Sequence, residues 1–258
     1  MQESQKISNG VSILKGKIAL VTGASVGIGR AVALKIAELG ADVAVNYLSR
    51  HAEAEETAAL IKKLGRNACV FSADIVSEEM VRKMLAEVND RMGNVTVLVN
   101  NAAPELSLAE FGNVPWDAFV PHLNVQVRGA YHMIQSVLSG MKKERYGKIV
   151  NILSAYILQN FPKKIAPYIV AKEALWGLTK AAAADLASYG IRVNAVSPWV
   201  TDTEMAERVS PPRFKEMVAK HAPLGRITKP EDVANIVGFL ASPESDHLTG
   251  VNIPIGIT

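Results

Sequence analysis

Disulfides, metal clusters and membrane spans have little to draw on in this chain. Its 258 residues include one cysteine, Cys69, which excludes an internal disulfide and fits a reducing compartment. Cys69 lies in an apolar run, as an inert buried thiol would. Five scattered histidines and that cysteine share no metal-ligand spacing, so no metal is expected. No apolar run reaches membrane-spanning length, and residues 1–16 lack the apolar core of a signal peptide. The expectation is a cytoplasmic protein with no membrane contact. Excess charge is lacking too: the formal net charge is +3, which offers no global attraction for nucleic acid.

What is present is a long alternation of short apolar runs with amphipathic stretches. Hydrophobic residues make up 49% of the chain, enough for one large domain with a substantial core. Strand-like runs fall at 18–21, 42–46, 68–71, 95–99, 148–153, 191–196 and 251–255. Helical periodicity lies between them at 28–39, 51–64, 78–92, 115–141, 166–188 and 230–241, with one or two short helices over 203–220. Ser77 is a natural N-cap with Glu78 and Glu79 in the first turn. The strand cores are β-branched and uninterrupted, which argues a doubly wound, Rossmann-type parallel sheet of about seven strands with helices on both faces. No repeat or linker divides it. The expected organisation is a flexible tail over 1–15 and one domain over 16–258, with a substrate lid at about 200–222.

The first strand runs straight into Thr22-Gly23-Ala24-Ser25-Val26-Gly27-Ile28-Gly29 and then a helix. Glycines let the backbone approach a phosphate, and the helix N-terminus supplies free N–H groups and a positive dipole end. Read alone, the same glycines could simply permit a tight turn. Ligands of open parallel sheets bind beyond the carboxyl ends of the strands. Gly23, Asp74, Asn100, Ser154 and Pro198 all fall there, from well-separated stretches.

Tyr168 and Lys172 are spaced i, i+4 and so share a helix face. A phenol titrates near 10 and is a sluggish acid at neutral pH. An ammonium at about 4 Å contributes roughly 4 kcal/mol at an effective dielectric of 20, before desolvation offsets it. The expectation is a Tyr168 pKa lowered by a couple of units, suited to general acid–base work. The plainer alternative is a solvent-facing aromatic beside a surface lysine. Ser154 would point into the same cleft, or serve as a turn residue. Asn124, in the middle of a helix, needs hydrogen-bond partners if buried.

The Thr-Gly-x-x-x-Gly-x-Gly turn, Asp74, Asn100-Asn101-Ala102 and the set Asn124, Ser154, Tyr168 and Lys172 together resemble the short-chain dehydrogenase/reductase family. The likeness covers residues 17–255, with every motif in the family's order. It implies that Asn124, Ser154, Tyr168 and Lys172 form a catalytic tetrad. It also implies that a nicotinamide cofactor lies along Gly23, Ser25, Val26, Gly27, Ile28 and Gly29, then Tyr47, Ser49 and Arg50, then Ala73, Asp74 and Ile75. Asn101, Ala102, Ala103, Tyr168, Lys172, Pro198, Trp199, Val200 and Thr203 would complete that site. By the same likeness Asp74 would contact the adenine, and Asn100 would stabilise the central strands. Lys172 would hold the nicotinamide ribose and lower the Tyr168 pKa, while Ser154 would orient a substrate carbonyl. Asn124 would hold a water that relays protons to Lys172.

Family members that use NAD commonly carry an acidic residue near position 47. Here Tyr47 is followed by Leu48, Ser49 and Arg50, so NADPH is favoured over NADH, with Ser49 and Arg50 as candidates for the 2′-phosphate. Val26 departs from the basic residue of many NADPH users. The segments Leu14-Lys-Gly-Lys-Ile-Ala-Leu-Val21, Val43-Ala-Val-Asn-Tyr47 and Pro223-Leu-Gly-Arg226 are most similar to 3-oxoacyl-[acyl-carrier-protein] reductases. Reduction of a ketone, as a 3-oxoacyl thioester or a polyketide-like substrate, is the implied activity. Arg145 matches a position where an acidic carrier protein docks, although a second such position is here Tyr189.

Several features depart from the pattern. Pro198 is followed by Trp199 instead of glycine, Ala103 replaces glycine, the C-terminus lacks Asp-Gly-Gly, and fourteen positions separate Ser154 from Tyr168. An altered, apolar pocket from Tyr156, Phe161, Trp199, Met205 and Phe214 is expected, with core packing as the alternative for several of them. Three other readings stand beside ketone reduction. Enoyl-thioester reduction is disfavoured because enoyl reductases of the superfamily often place tyrosine seven positions before the lysine, where this chain has Ile165. The others are an NAD-dependent alcohol, sugar or steroid dehydrogenase and a non-catalytic nucleotide-binding regulator. Family likeness also implies a homotetramer or homodimer through the two long helices.

Overall fold

The computed structural model describes residues 12–106, 108–159, 162–209 and 213–257. Phe161 and most of the expected N-terminal tail therefore lie outside the described residues. Seven strands form one parallel sheet: β1 (Ile18–Val21), β2 (Asp42–Tyr47), β3 (Ala68–Ser72), β4 (Val97–Asn100), β5 (Gly147–Ile152), β6 (Ile191–Pro198) and β7 (Asn252–Ile255). Their order across the sheet is 3-2-1-4-5-6-7. The order reverses between β1 and β4, where Ala19, Leu20 and Val21 pair with Val97, Leu98 and Val99. Such a reversal opens a crevice at the carboxyl edge, and the loops that leave β1 and β4 form its walls.

Alternation along the strands divides the core between two faces. Ala19, Val21, Val43, Val45, Val97, Val99, Val150 and Ile152 pack on one face against α1 (Gly27–Glu38), α2 (His51–Lys63) and α9 (Pro230–Ala241). Leu20, Ala44, Leu98 and Ile149 face the other way, onto α3 (Glu78–Arg91), α5 (Ala130–Glu144) and α6 (Ala166–Leu186). Ser77 caps α3 as the sequence suggests, accepting the Met80 N–H at 3.3 Å. Strands buried on both faces explain the continuous apolar runs. None of the described helices is long and apolar enough to cross a membrane.

The stretch 115–141 is not the uniform helix that its periodicity predicts. It begins with a tight turn at Trp116–Ala118, continues as α4 (Phe119–Leu123), widens to i→i+5 hydrogen bonding over Asn124–Gly129, and then becomes α5. A wide turn inside a helix re-aims the side chains around it and recurs at functional sites. Gly129 suits this bend because Ile75 packs where its Cβ would be, at 2.7 Å. The stretch expected to act as a lid carries two short helices, α7 (Glu204–Val209) and α8 (Phe214–His221).

Candidate active site

The glycine turn is held in shape by hydrogen bonds from the neighbouring strand ends. Gly23 and Gly27 both have φ near +60°, which favours glycine. A Cβ at Gly29 would collide with the Gly23 carbonyl and with Asn101 Nδ2. The Asn101 side chain donates to the carbonyls of Thr22 (2.9 Å) and Gly23 (3.1 Å). Thr22 Oγ1 accepts the N–H groups of Asn101 and Ala102, at 2.9 and 3.1 Å. Asn46 accepts the Gly23 N–H at 3.4 Å and donates to Ala73 O at 3.2 Å, tying the ends of β1, β2 and β3 together. Arg30 braces the outside, donating to Ser25 O at 2.8 Å and to Thr57 Oγ1 at 3.0 Å. Asn101 thus shapes the turn with the side chain that the sequence assigned to the cofactor, and Thr22 and Asn46 join it as supports that motif reading did not single out. Their signal was there: both are buried polar residues closing apolar strands.

Around this turn lie the other residues assigned to the cofactor. Ser25, Ala73, Ile75 and Val200 are buried, and Val26, Ile28, Tyr47, Ala102 and Ala103 are partly so. Asp74 Oδ1 accepts the Val76 N–H at 2.9 Å, closing the loop after β3. Ser49 is exposed at the end of β2. Arg50 is paired with Glu204 of α7 at 2.9 Å, and that contact holds the Glu204 carboxyl below its ordinary pKa. A Cβ at Gly27 would come within 3.5 Å of Thr203 Cγ2, so the residue before α7 sits against the turn. The cradle fits a dinucleotide: side chains are missing where a pyrophosphate must approach, and the α1 N-terminus opens toward it.

The four residues expected to form the tetrad come from the loop after β5, from α6 and from the wide turn. Asn100 Nδ2 donates to Asn151 Oδ1, and Asn151 Nδ2 donates to Thr179 Oγ1, both at 2.8 Å, locking β4, β5 and α6 in register. Asn100 therefore does brace the central strands. Ser154 follows β5, is buried, and accepts the Tyr156 N–H at 3.3 Å. Its side chain hydrogen-bonds the Tyr168 hydroxyl. Lys172 is 3% exposed; its Nζ donates to Ile152 O at 2.6 Å and lies 5.6 Å from the Tyr168 ring centroid. The surface-lysine alternative is therefore wrong.

The expected fall in the phenol pKa is not observed. Burial pushes Tyr168 up to about 12, against the lowering effect of its Ser154 hydrogen bond. Burial likewise pushes Lys172 down to about 7. Desolvation disfavours the charged form of each and is the leading cause at both. Asn124 opens the wide turn, half-buried, and no hydrogen bond joins it to Lys172 among the described residues.

Sequence reading missed His122. It is 3% exposed, its Nδ1 lies 2.9 Å from Gln126 Nε2, and its ring meets the Tyr168 ring edge-on at 6.1 Å. Burial, and secondarily Lys172, hold its pKa below the ordinary histidine value. Two buried polar residues at i, i+4 beside Asn124 were the available sign.

The residues expected to line an apolar pocket differ in their surroundings. Trp199 is half-buried beside Gly256, its N–H donates to Ile255 O at 3.0 Å, and its Nε1 is enclosed. Tyr156 is half-buried, and Ile157 packs into the core with Leu153 and Leu175. Phe214 lines a separate cavity of about 340 Å³ between α7 and α8, with Asp202, Ala206, Arg213 and Ile227. Met205 is half-buried on α7.

A parallel sheet with a glycine cradle at its crevice, and a tyrosine between a buried serine and a buried lysine beside it, defines a nicotinamide-nucleotide oxidoreductase. A family model described as Enoyl-(Acyl carrier protein) reductase matches residues 23–256. The 3-oxoacyl-[acyl-carrier-protein] reductase of Staphylococcus epidermidis is 37% identical over 241 residues, 93% of this chain and 97% of that protein. Its counterpart from Thermotoga maritima is 35% identical, over 94% of this chain and 97% of the relative. Among solved structures, a gluconate 5-dehydrogenase from Burkholderia cenocepacia in complex with NADP and tartrate superposes with a TM-score of 0.87 at 30% identity, covering 95% and 96% of the two chains. An NAD+-bound xylitol dehydrogenase gives 0.88 at 33% identity, covering 95% of this chain and 99% of its own. The chain belongs to the short-chain dehydrogenase/reductase family.

Proposed function

We propose that this protein reduces the ketone of a 3-oxoacyl thioester, carried on an acyl carrier protein, to a secondary alcohol with NADPH. The observation that carries the reading is the Ser154–Tyr168 hydrogen bond, one helical turn from buried Lys172, at the edge of the glycine cradle. Relatives named for this activity, aligned over nearly the whole chain, support the substrate class. When bound, the cofactor supplies the hydride. The turn from Gly23 to Gly29 holds its pyrophosphate, Arg50 and Ser49 its 2′-phosphate, and Lys172 its nicotinamide ribose. Ser154 donates a hydrogen bond to the substrate carbonyl oxygen and orients it. Tyr168, protonated at neutral pH, gives its proton to the alkoxide that develops on that oxygen. Lys172, when charged, stabilises the tyrosinate left behind, and Asn124 holds a water that restores the proton.

Ketone reduction is favoured over enoyl reduction by the position of the buried phenol. Tyr168 lies one turn from Lys172, whereas seven positions before Lys172 stands Ile165, which has no hydroxyl. NADPH is favoured over NADH because the end of β2 carries Arg50 and no carboxylate. Arg145 belongs to the same reading as a docking point for the acidic carrier. It sits at the amino edge of β5 and donates to Ser188 O at 3.1 Å. Exposed Phe111, Trp116, Val120 and Tyr131 around α4 and α5 support self-association through that face. A cytoplasmic location accords with the carrier-linked substrate.

Tyr168→Phe tests the mechanism. Turnover of a 3-oxoacyl thioester with NADPH should fall at least about a hundredfold while cofactor affinity stays the same. Turnover like that of the unaltered protein would remove Tyr168 from the reaction.

A further inference from the structure

Arg50 and Glu204 meet at 2.9 Å across 154 positions of sequence. Arg50 stands at the start of α2, beside the end of β2, and Glu204 is the first residue of α7. Arg208, one turn further along α7, lies 3.5 Å from the same Glu204 oxygen and also pairs with Glu105, beyond β4. Alternating charges therefore run from the β2 loop, over the lid helix, to the β4 loop. Thr203 anchors the same helix over Gly27. The chain of charges passes above the crevice where a dinucleotide would lie.

The pair is held in water, with side chains 31% and 55% exposed, so exchanging partners costs little. Arg50 uses one terminal nitrogen for Glu204 and keeps its other donors. A phosphate monoester carries more charge than a carboxylate and accepts a guanidinium fork in bidentate fashion. It is the stronger partner for Arg50, but the Glu204 carboxylate stands on the same cation and repels it. Glu204 has a second cation, Arg208, to keep.

We propose that Glu204 is a specificity-determining residue that competes with the ribose 2′-phosphate of the nucleotide for Arg50. A 2′-phosphorylated nucleotide draws Arg50 away and leaves Glu204 to Arg208, so the lid helix sets how strongly that phosphate is preferred. A nucleotide with a free 2′-hydroxyl leaves the pair closed. The proposal rests on the reading that Arg50 meets the 2′-phosphate, but concerns a residue from the far end of the chain.

The test uses the full chain and two nucleotides that differ only by the 2′-phosphate: adenosine 2′,5′-bisphosphate and adenosine 5′-monophosphate. Calorimetric titration at low salt is run on the unaltered protein, Glu204→Gln, Arg50→Met and the double variant. Glu204→Gln should bind the bisphosphate about fivefold more tightly and the monophosphate within about twofold of the unaltered protein. Arg50→Met should weaken the bisphosphate about tenfold and erase the gain in the double variant. Weaker bisphosphate binding in Arg50→Met with no gain in Glu204→Gln would overturn the role of Glu204 and leave the 2′-phosphate reading standing. If Arg50→Met binds the bisphosphate as the unaltered protein does, Arg50 does not meet that phosphate, and both readings fall.

Discussion

Replacing Lys172 with methionine should change how stability depends on pH. The side chain is buried, and burial lowers its pKa from 10.5 to about 7. Below pH 7 the lysine is charged in both folded and unfolded chains, and the full cost of enclosing an ammonium bears on the fold. Above 10.5 it is neutral in both, and that cost is gone. Between those values the unfolded chain binds more protons, so the native protein gains stability as pH rises. Over pH 6.5 to 9 this one group contributes a gain of roughly 2 to 3 kcal/mol. Lys172→Met removes the titration, and also the bond to Ile152 O, a loss that does not vary with pH. Urea unfolding of both proteins at four or five pH values, without nucleotide, isolates the effect as a difference. That difference should rise in favour of the unaltered protein by the stated amount. A flat line would mean that Lys172 keeps an ordinary pKa, through an anionic Tyr168 or water reaching Nζ, and the account of two desolvated groups would be wrong.

Three further outcomes follow from the same geometry. Gly29→Ala places a Cβ against Gly23 O and Asn101 Nδ2, so adenine-nucleotide affinity measured by calorimetry should fall at least about tenfold; unchanged affinity would dissociate the turn from the phosphate. Asn151→Leu orphans the buried Asn100 amide N–H and strips the Thr179 hydroxyl of the bond it accepts, leaving only the one it donates to Leu175 O, and should cost about 2 to 4 kcal/mol in urea unfolding, whereas a loss below about 0.5 would make the polar chain incidental. Trp199→Gly should shift the ratio of kcat/KM between short and bulky ketones more than it shifts NADPH affinity, and an unaltered ratio would exclude the indole from the substrate pocket.

The sheet was legible because each strand is an apolar run with both faces buried and each helix carries a period near 3.6. Ser77 capped α3 as read, and α9 spans Pro230–Ala241 as read, because a Ser N-cap and a proline at the first helical turn act through local backbone chemistry. The wide turn at Asn124–Gly129 was not legible. One extra residue per turn leaves the apolar spacing nearly intact, and the close approach of Ile75 to Gly129 comes from a loop distant in sequence. The Arg50–Glu204 pair was hidden for a similar reason, since nothing local in either segment names the other. Motif reading brought Ser154, Tyr168 and Lys172 together correctly. It gave the wrong direction for the phenol because it weighed the attraction of the ammonium without the burial of both groups.

That burial gives the pair a definite proton order. With Tyr168 at about 12 and Lys172 at about 7, the phenol is fully protonated at neutral pH and the amine is close to half charged. The group is thus loaded for donation, as reduction of a carbonyl requires, and poorly set for abstraction. Any hydroxyl or carbonyl that accepts a hydrogen bond from Nζ raises the lysine pKa, and each increment of charge there lowers the phenol in turn. Ile152 O already accepts one such bond at 2.6 Å. A ribose hydroxyl reaching the same nitrogen would do more, so occupancy of the cradle and acidity of Tyr168 rise together. His122 favours the same order: burial, and secondarily Lys172, hold its pKa below the ordinary histidine value, which disfavours a second positive charge near Lys172. The proton order of the pair is therefore set by desolvation as much as by the identity of the two side chains.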